Sequence, residues 1–109
     1  MGFFEIAKVE DMPKGTMKSG VVGGKEILVT NYDGTYYAIG LKCTHMGGDL
    51  SKGRMEGKII TCPRHGSRFD VTTGERISGP KVPLFKPKIK NEPYYQVKVV
   101  GNSIQVNIE

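Results

Sequence analysis

The sequence predicts an all-β protein, an antiparallel sandwich or barrel of short strands. Helical periodicity is almost absent, and strand-like segments alternate with turn-like segments along most of the chain. Fifteen glycines and six prolines in 109 residues are typical of a fold with many turns. The length is that of one ordinary domain, and neither a repeat nor a low-complexity linker divides it. We therefore expect one domain over residues 1–109.

Apolar and β-branched runs bounded by turn residues mark the strands. In chain order, strands are expected at residues 3–9, 16–22, 25–31, 35–39, 58–61, 69–71, 76–77, 94–100 and 103–108. Turn dipeptides indicate the hairpins, and they are Gly23-Gly24, Asp33-Gly34, Thr73-Gly74 and Gly101-Asn102. A proline-rich stretch, residues 79–93, is expected to cross the surface.

Two polar segments, residues 41–57 and 62–68, each follow a predicted strand and are expected to be loops. The chain has only two cysteines and two histidines, and these loops hold all four. The first loop contains Cys43-Thr44-His45 and the second contains Cys62-Pro63-Arg64-His65. Such pairing by chance is improbable, so the pattern indicates a metal centre on loops held by a β scaffold.

Three other interpretations compete with an iron–sulfur centre. A disulfide between Cys43 and Cys62 leaves both histidines unexplained, and no secretion signal is visible. In a second interpretation, the cysteines are buried structural residues and the histidines lie on the surface by coincidence. A structural zinc site accepts two cysteines and two histidines. Zinc fingers, however, group cysteine with cysteine and histidine with histidine, and a short helix usually follows.

The mixed pairing has a chemical use in a diiron centre. Two ferric ions and two sulfides sum to +2, so two thiolates make the oxidised centre neutral. A centre held by four cysteines starts at −2, which makes the addition of an electron harder. Histidine ligation therefore raises the reduction potential, to roughly −150 to +300 mV against about −400 mV for plant-type ferredoxins.

These motifs resemble those of the Rieske [2Fe-2S] family. The resemblance lies in residues 43–48, Cys-Thr-His-Met-Gly-Gly, in residues 62–67, Cys-Pro-Arg-His-Gly-Ser, and in residues 79–84, which are similar to the proline loop that covers the cluster. It implies a Rieske-like β-sandwich with a small cluster-binding part over about residues 41–84. It also implies one [2Fe-2S] cluster, with Cys43 and Cys62 on the inner iron and His45 and His65 on the outer iron. Residues expected beside the cluster are Arg64, Gly66, Ser67, Gly79 and Pro80.

The departures from the family pattern bear on the potential. Gly48 and Arg64 stand where high-potential Rieske proteins have two further cysteines that form a disulfide. Ser67 matches a serine whose hydroxyl bonds a cluster sulfur, although a local loop hydrogen bond is an alternative role. Phe69 stands where the same proteins have a tyrosine, so that hydroxyl is missing. We therefore expect a potential in the lower part of the Rieske range.

The resemblance implies an electron carrier rather than an enzyme, working between a reductase donor and an oxygenase-type acceptor. An alternative is a Rieske subunit of a multicomponent oxygenase or a nitrite-reductase-type system. A self-contained oxygenase needs further histidines for its mononuclear iron, and none remains. The basic side chains of Lys52, Arg54, Arg64 and Arg68 either meet an acidic partner or only solvate the loops.

Composition limits the other classes of function. The formal charge is +5, yet no nucleic-acid-binding motif accompanies it, so no nucleic-acid partner is expected. No apolar run approaches the roughly 18 residues that a membrane span needs. No signal peptide is visible. We expect a cytoplasmic monomer.

Overall fold

The computed structural model describes residues 2–43, 47–64, 66–78 and 91–108, and within these ranges the chain is all-β. The strands are β1 (Gly2–Lys8), β2 (Met17–Val22), β3 (Lys25–Tyr32), β4 (Thr35–Gly40), β5 (Arg54–Glu56), β6 (Ile59–Thr61), β7 (Arg68–Asp70), β8 (Arg76–Ser78), β9 (Tyr94–Tyr95), β10 (Val97–Val100) and β11 (Ser103–Ile108). Short 3₁₀ helices occupy Val9–Asp11 and Leu50–Lys52. No helix in the described part of the chain has the length and apolar character needed to cross a membrane.

The strands form three antiparallel sheets. The terminal sheet has the order β1-β11-β10, the central sheet β2-β3-β4-β9, and the loop sheet β5-β6-β7-β8. Every strand pair within them is antiparallel. The predicted all-β antiparallel fold is therefore confirmed.

Strand β3 is buried on both faces because it lies between two cores. Ile27 and Val29 face one core together with Ile104 and Val106 of the terminal sheet. Leu28, which points the other way, faces a second core. The remaining large members of that second core are Ile39, Leu41, Leu50, Ile60, Phe69 and Val71. The uninterrupted apolar run at residues 27–29 is thus the signature of a strand covered on both sides.

The hairpin turns follow from residues that tolerate positive φ. Gly23 and Gly24 have φ of 56° and 79°, and they join β2 to β3. Asp33 and Gly34 have φ of 53° and 91°, and they join β3 to β4. Two consecutive positive φ values define the turn whose twist matches that of the flanking strands. Both predicted turns are confirmed.

The prediction of one loop over residues 41–57 is wrong in part. The segment contains the 3₁₀ helix Leu50–Lys52 and the strand β5, which pairs with β6. Between them, Gly53 passes so close to the Thr61 carbonyl that a Cβ would collide with it. Strand β5 reads Arg-Met-Glu, with one apolar residue in three, and it lies at a sheet edge. Because only Met55 faces the core, the segment has no recognisable strand pattern.

The predicted strand over residues 94–100 is also wrong as a single element. Tyr94 and Tyr95 pair with β4 in the central sheet, whereas Val97–Val100 pairs with β11 in the terminal sheet. The chain changes sheet at Gln96. At the N-terminus, the first strand ends at Lys8, and Val9 begins a 3₁₀ helix instead.

The chain leading into β9 joins the loop sheet to the central sheet. The Arg76 amide donates to the Asn91 side-chain oxygen at 2.9 Å, and the Glu92 amide donates to the Gly74 carbonyl at 2.7 Å. One residue later, the Pro93 carbonyl accepts from the Gly40 amide at 3.0 Å. These bonds hold the end of the proline-rich stretch to both sheets, and its residues 79–90 lie outside the described part.

Asp70 closes the turn between β7 and β8. Its carboxylate accepts from the Thr72 amide at 2.8 Å and from the Thr72 hydroxyl at 2.6 Å, and Lys58 Nζ lies 3.4 Å away. Burial acts to raise the pKa of Asp70, but the bonds from Thr72 and the charge of Lys58 outweigh it and lower the pKa below its ordinary value. The charged carboxylate therefore stabilises the fold above the unfolded pKa, and this contribution is lost as the pH falls through the lowered folded pKa.

Replacing Asp70 with alanine should lower the free energy of unfolding by about 1–3 kcal/mol near neutral pH, because the Thr72 donors lose their acceptor. The difference from the native chain should shrink below about pH 4, where the native carboxyl is protonated in the unfolded state and then in the folded state. Urea unfolding at about pH 7 and about pH 3 measures both values. The control is Asp11→Ala, which changes an exposed carboxylate. An equal loss of unfolding free energy at both pH values would show that the charge of Asp70 does not contribute to stability.

Candidate metal centre

Cys43 begins a loop that closes on itself. Its amide donates to the Gly48 carbonyl at 2.7 Å, and its carbonyl accepts from the Gly47 amide at 2.8 Å. An isolated antiparallel bridge between Lys42 and Asp49 ties the two ends of the loop together. Cys43 therefore has a fixed backbone at the point where the chain leaves the β4 region.

Cys62 begins a second loop with the same pattern of hydrogen bonds. Its amide donates to the Ser67 carbonyl at 2.7 Å, and its carbonyl accepts from the Gly66 amide at 3.2 Å. The partners stand four and five residues after the cysteine in both loops. Gly66 and Gly47, the residues at the fourth position, have φ of 81° and 70°, a conformation that favours glycine. The two cysteines thus occupy equivalent positions in two similar turns.

The two loops touch at Gly48. A Cβ added there would stand 2.7 Å from Cys62 Sγ and 2.9 Å from Arg64 Cγ, so only glycine fits without a shift. The aliphatic stem of Arg64 lies against this glycine. Gly48 and the Arg64 stem thus lie in close contact at the place where high-potential Rieske proteins have a disulfide.

Both cysteines belong to the core between the central sheet and the loop sheet. Each is only 3% exposed, and both are thiols rather than a disulfide. Their neighbours in the core include Leu41, Ile60 and Phe69. The disulfide alternative is therefore not supported, and two buried sulfur atoms stand at the base of the two loops.

Ser67 carries a polar atom without a partner. Its side chain is fully buried, and its hydroxyl makes no hydrogen bond with any residue that the structure describes. The local loop bond considered as an alternative for this hydroxyl is therefore not found in that part of the chain. A buried hydroxyl normally has a hydrogen-bond partner, and a group bound beside Cys62 would supply an acceptor for it. Phe69, two residues later, is fully buried and offers no hydroxyl.

The remaining predicted site residues lie outside the described residues. They are His45, His65, Gly79 and Pro80, together with the rest of the segment 79–84. The predicted residues that the structure does describe are Cys43, Cys62, Arg64, Gly66 and Ser67. It brings these five together around the contact between the loops.

The described residues fit a sulfur-rich metal group. Two buried thiols supply soft ligands, which suit zinc and iron–sulfur clusters alike. The hydroxyl of Ser67 is a donor, and the sulfide of a cluster is the kind of acceptor that such donors bond. The glycine at position 48 leaves space beside Cys62 Sγ that any side chain would fill. Comparison with known proteins decides between the two metals.

Residues 2–90 match the family model of the Rieske [2Fe-2S] domain. The chain belongs to this Rieske family. Its cofactor is accordingly a Rieske [2Fe-2S] cluster, as predicted, and the zinc alternative is not supported.

Relatives of the chain include ferredoxins of dioxygenase systems. It is 34% identical over 107 residues to the ferredoxin component of the naphthalene 1,2-dioxygenase/salicylate 5-hydroxylase systems of Ralstonia sp., covering 98% of this chain and 96% of that protein. The ferredoxin of carbazole 1,9a-dioxygenase from Nocardioides aromaticivorans IC177 superposes with a TM-score of 0.86 at 27% identity, over 100% of both chains. A ferredoxin solved in complex with the oxygenase of carbazole 1,9a-dioxygenase gives a TM-score of 0.82 at 28% identity, over 95% of this chain and 91% of that one.

This Rieske protein is therefore a ferredoxin that carries electrons, as the resemblance implied. The two glycines that end the turns, Gly47 and Gly66, were not identified as a matched pair from the sequence. The signal was present, because a glycine stands four residues after each cysteine. Two cysteines followed at the same distance by glycine indicate two equivalent turns, which a list of metal ligands alone does not reveal.

Proposed function

We propose that Cys43 and Cys62 hold one iron of the cluster and that His45 and His65 hold the other. The observation that carries this proposal is the pair of buried sulfur atoms in equivalent turns whose loops meet at Gly48. Each loop then contributes to both irons, so the loops cannot separate without loss of the cluster. The bound cluster supplies a place for one electron, since it passes from neutral to −1 on reduction.

The protein surroundings fit a centre that accepts and releases an electron without other chemistry. The core residues packed on the two cysteines exclude water from the sulfur side. Water that is excluded from this side cannot reorient when the charge of the cluster changes between neutral and −1. We infer that residues 1–109 form one Rieske domain, with its cluster-binding part over about residues 41–84.

The carrier is proposed to take electrons from a reductase and deliver them to the oxygenase of an aromatic-ring dioxygenase system. The ferredoxin components named above support this, since they match almost the whole of this chain. We further propose that the carrier is a monomer, that it works in the cytoplasm and that it has no nucleic-acid partner. Weak and transient contacts with each partner suit such a shuttle.

The test is a coupled assay with an NADH-dependent reductase of an aromatic dioxygenase system. With this chain as the only carrier, the reductase should reduce cytochrome c at a rate that rises in proportion to carrier concentration. The control is the same chain stripped of iron by acid and refolded. Equal rates with and without iron in the carrier would contradict the proposed function.

Replacing Ser67 with alanine should lower the reduction potential of the cluster. Its hydroxyl is buried and needs an acceptor, and a bond to a cluster sulfur stabilises the reduced, more negative state. A bond stronger by about 1 kcal/mol in that state corresponds to about 40 mV for one electron. A spectroscopic redox titration measures the shift, with Ser51→Ala as a control at a hydroxyl bonded to Asp49 instead. Equal potentials for Ser67→Ala and the native chain would show that the hydroxyl makes no such bond.

A further inference from the structure

Two arginines project from the outer face of the loop sheet, on the two strands that flank β6. Arg54 of β5 is directly opposite Thr61 of β6, and Thr61 is directly opposite Arg68 of β7. Residues directly opposite one another in antiparallel strands project from the same face. With strands about 4.8 Å apart, the two arginine backbones lie about 10 Å from each other across Thr61. The neighbouring row, Met55, Ile60 and Phe69, faces the core instead.

The arginine pair lines an open groove of about 390 Å³, which we call the arginine groove; Glu56, Thr61 and Gly66 complete its lining. The Arg54 side chain is 82% exposed, and its only ion pair among the described residues is with Glu56 at 4.0 Å. So long a contact between two exposed side chains contributes little. Arg68 is exposed and forms no ion pair within the described ranges. Two guanidinium groups are therefore available to an external anion.

The groove adjoins the metal centre along the chain. Thr61 immediately precedes Cys62, and Gly66 closes the Cys62 loop by donating to the Cys62 carbonyl. A partner side chain that binds in the groove therefore lies next to one of the two loops that carry the proposed ligands. Electron transfer between proteins needs this kind of proximity, because its rate falls steeply with distance.

We propose that the arginine groove is the docking surface for carboxylates of an acidic redox partner. The proposal rests on the function proposed above and adds which face meets the partner and what charge the partner presents there. Guanidinium groups bind carboxylates through two parallel hydrogen bonds, which fixes orientation as well as contact. The net charge of +5 attracts an acidic protein at long range, and the arginine pair then orients it at close range.

The experiment compares two haem proteins of opposite surface charge, acidic cytochrome b5 and basic cytochrome c, as acceptors. Reduced ferredoxin passes one electron to the ferric haem, which becomes ferrous while the cluster is oxidised. Stopped-flow absorbance gives the bimolecular rate constant at low and high ionic strength, and a binding titration of the two oxidised proteins gives the affinity independently. The rate and affinity with cytochrome b5 should fall as salt is added.

The variant Arg54→Gln/Arg68→Gln should lower both the rate constant and the affinity for cytochrome b5 about tenfold at low salt. The matched control is Lys18→Gln/Lys25→Gln, which removes the same charge from exposed positions of the central sheet and should change either value less than about twofold. Arg54→Lys/Arg68→Lys keeps the charge but loses the two parallel hydrogen bonds of guanidinium to carboxylate, so it should recover only part of the loss. Iron content and the visible spectrum identify any variant whose cluster is damaged.

Equal losses of rate and affinity in Arg54→Gln/Arg68→Gln and in the control Lys18→Gln/Lys25→Gln would overturn the proposal, since only net charge would then matter. Full recovery in Arg54→Lys/Arg68→Lys would overturn the orienting contact between guanidinium and carboxylate, since charge alone would then account for docking. A chain that reduces both cytochromes without preference remains an electron carrier but has no docking surface for an acidic partner. A chain that reduces neither contradicts the carrier function itself. Single-stranded DNA bound by the native chain and released by the arginine variant, with cytochrome b5 unaffected, would assign the groove to phosphates.

Discussion

Replacing Cys62 with alanine is expected to yield a colourless protein with neither iron nor sulfide. If Cys43 and Cys62 hold the inner iron as proposed, the remaining cysteine cannot hold it alone, and the two loops lose the group that connects them. Because a metal group that binds only the folded chain stabilises that state, its loss also lowers stability. We expect a loss of about 3 kcal/mol or more, which lowers the melting temperature by roughly 15 °C in a domain of this size. Iron and sulfide analysis and thermal unfolding measure the two effects.

The control is Val71→Ala, a truncation in the same buried core. It removes apolar contacts at a cost of about 2 kcal/mol, yet it touches no proposed ligand and should leave two irons and two sulfides per chain. The comparison separates a cysteine that packs from a cysteine that binds. A Cys62→Ala protein with full iron content would contradict the assignment of that residue as a ligand.

Replacing Gly48 with alanine is expected to reduce iron content to less than half of the native value. The added Cβ would stand 2.7 Å from Cys62 Sγ, closer than side chains approach one another. A sulfur that is bound to iron cannot move aside without leaving the metal. Iron analysis after expression with excess iron and cysteine measures the loss.

Gly20→Ala is the matched control for this change. Gly20 lies in β2, and a Cβ there would meet the Ile6 side chain at 3.1 Å, far along the chain from either cysteine loop. The Gly20→Ala protein should contain as much iron as the native chain. A second variant, Gly48→Ala/Arg64→Ala, removes the arginine stem at 2.9 Å but leaves the sulfur in place, and we expect no recovery. Normal loading of Gly48→Ala would show that the contact between the loops is not needed to hold the cluster.

Local chemistry explains why most strands and turns could be predicted. Gly23-Gly24 and Asp33-Gly34 determine their turns through residues that accept positive φ, whatever surrounds them. The ligand motifs were equally readable, because cysteine and histidine have few other reasons to pair on loops. These features depend on residues close together in sequence.

Features that depend on packing between distant segments could not be predicted. Strand β5 has one apolar residue in three, and its pairing with β6 is visible only once the sheet is assembled. The change of sheet at Gln96 depends on where β4 and β11 lie. The unpartnered hydroxyl of Ser67 and the close approach of Gly48 to Cys62 are properties of two loops meeting in space. No sequence pattern within either loop records them.

The most direct test of mixed cysteine and histidine ligation is electron paramagnetic resonance of the dithionite-reduced protein, with iron and acid-labile sulfide counted on the same sample. We expect two irons and two sulfides per chain and a rhombic signal whose average g lies clearly below that of clusters held by four cysteines. A signal with the average g of an all-cysteine cluster, or a silent, colourless protein that contains one zinc, would contradict the account.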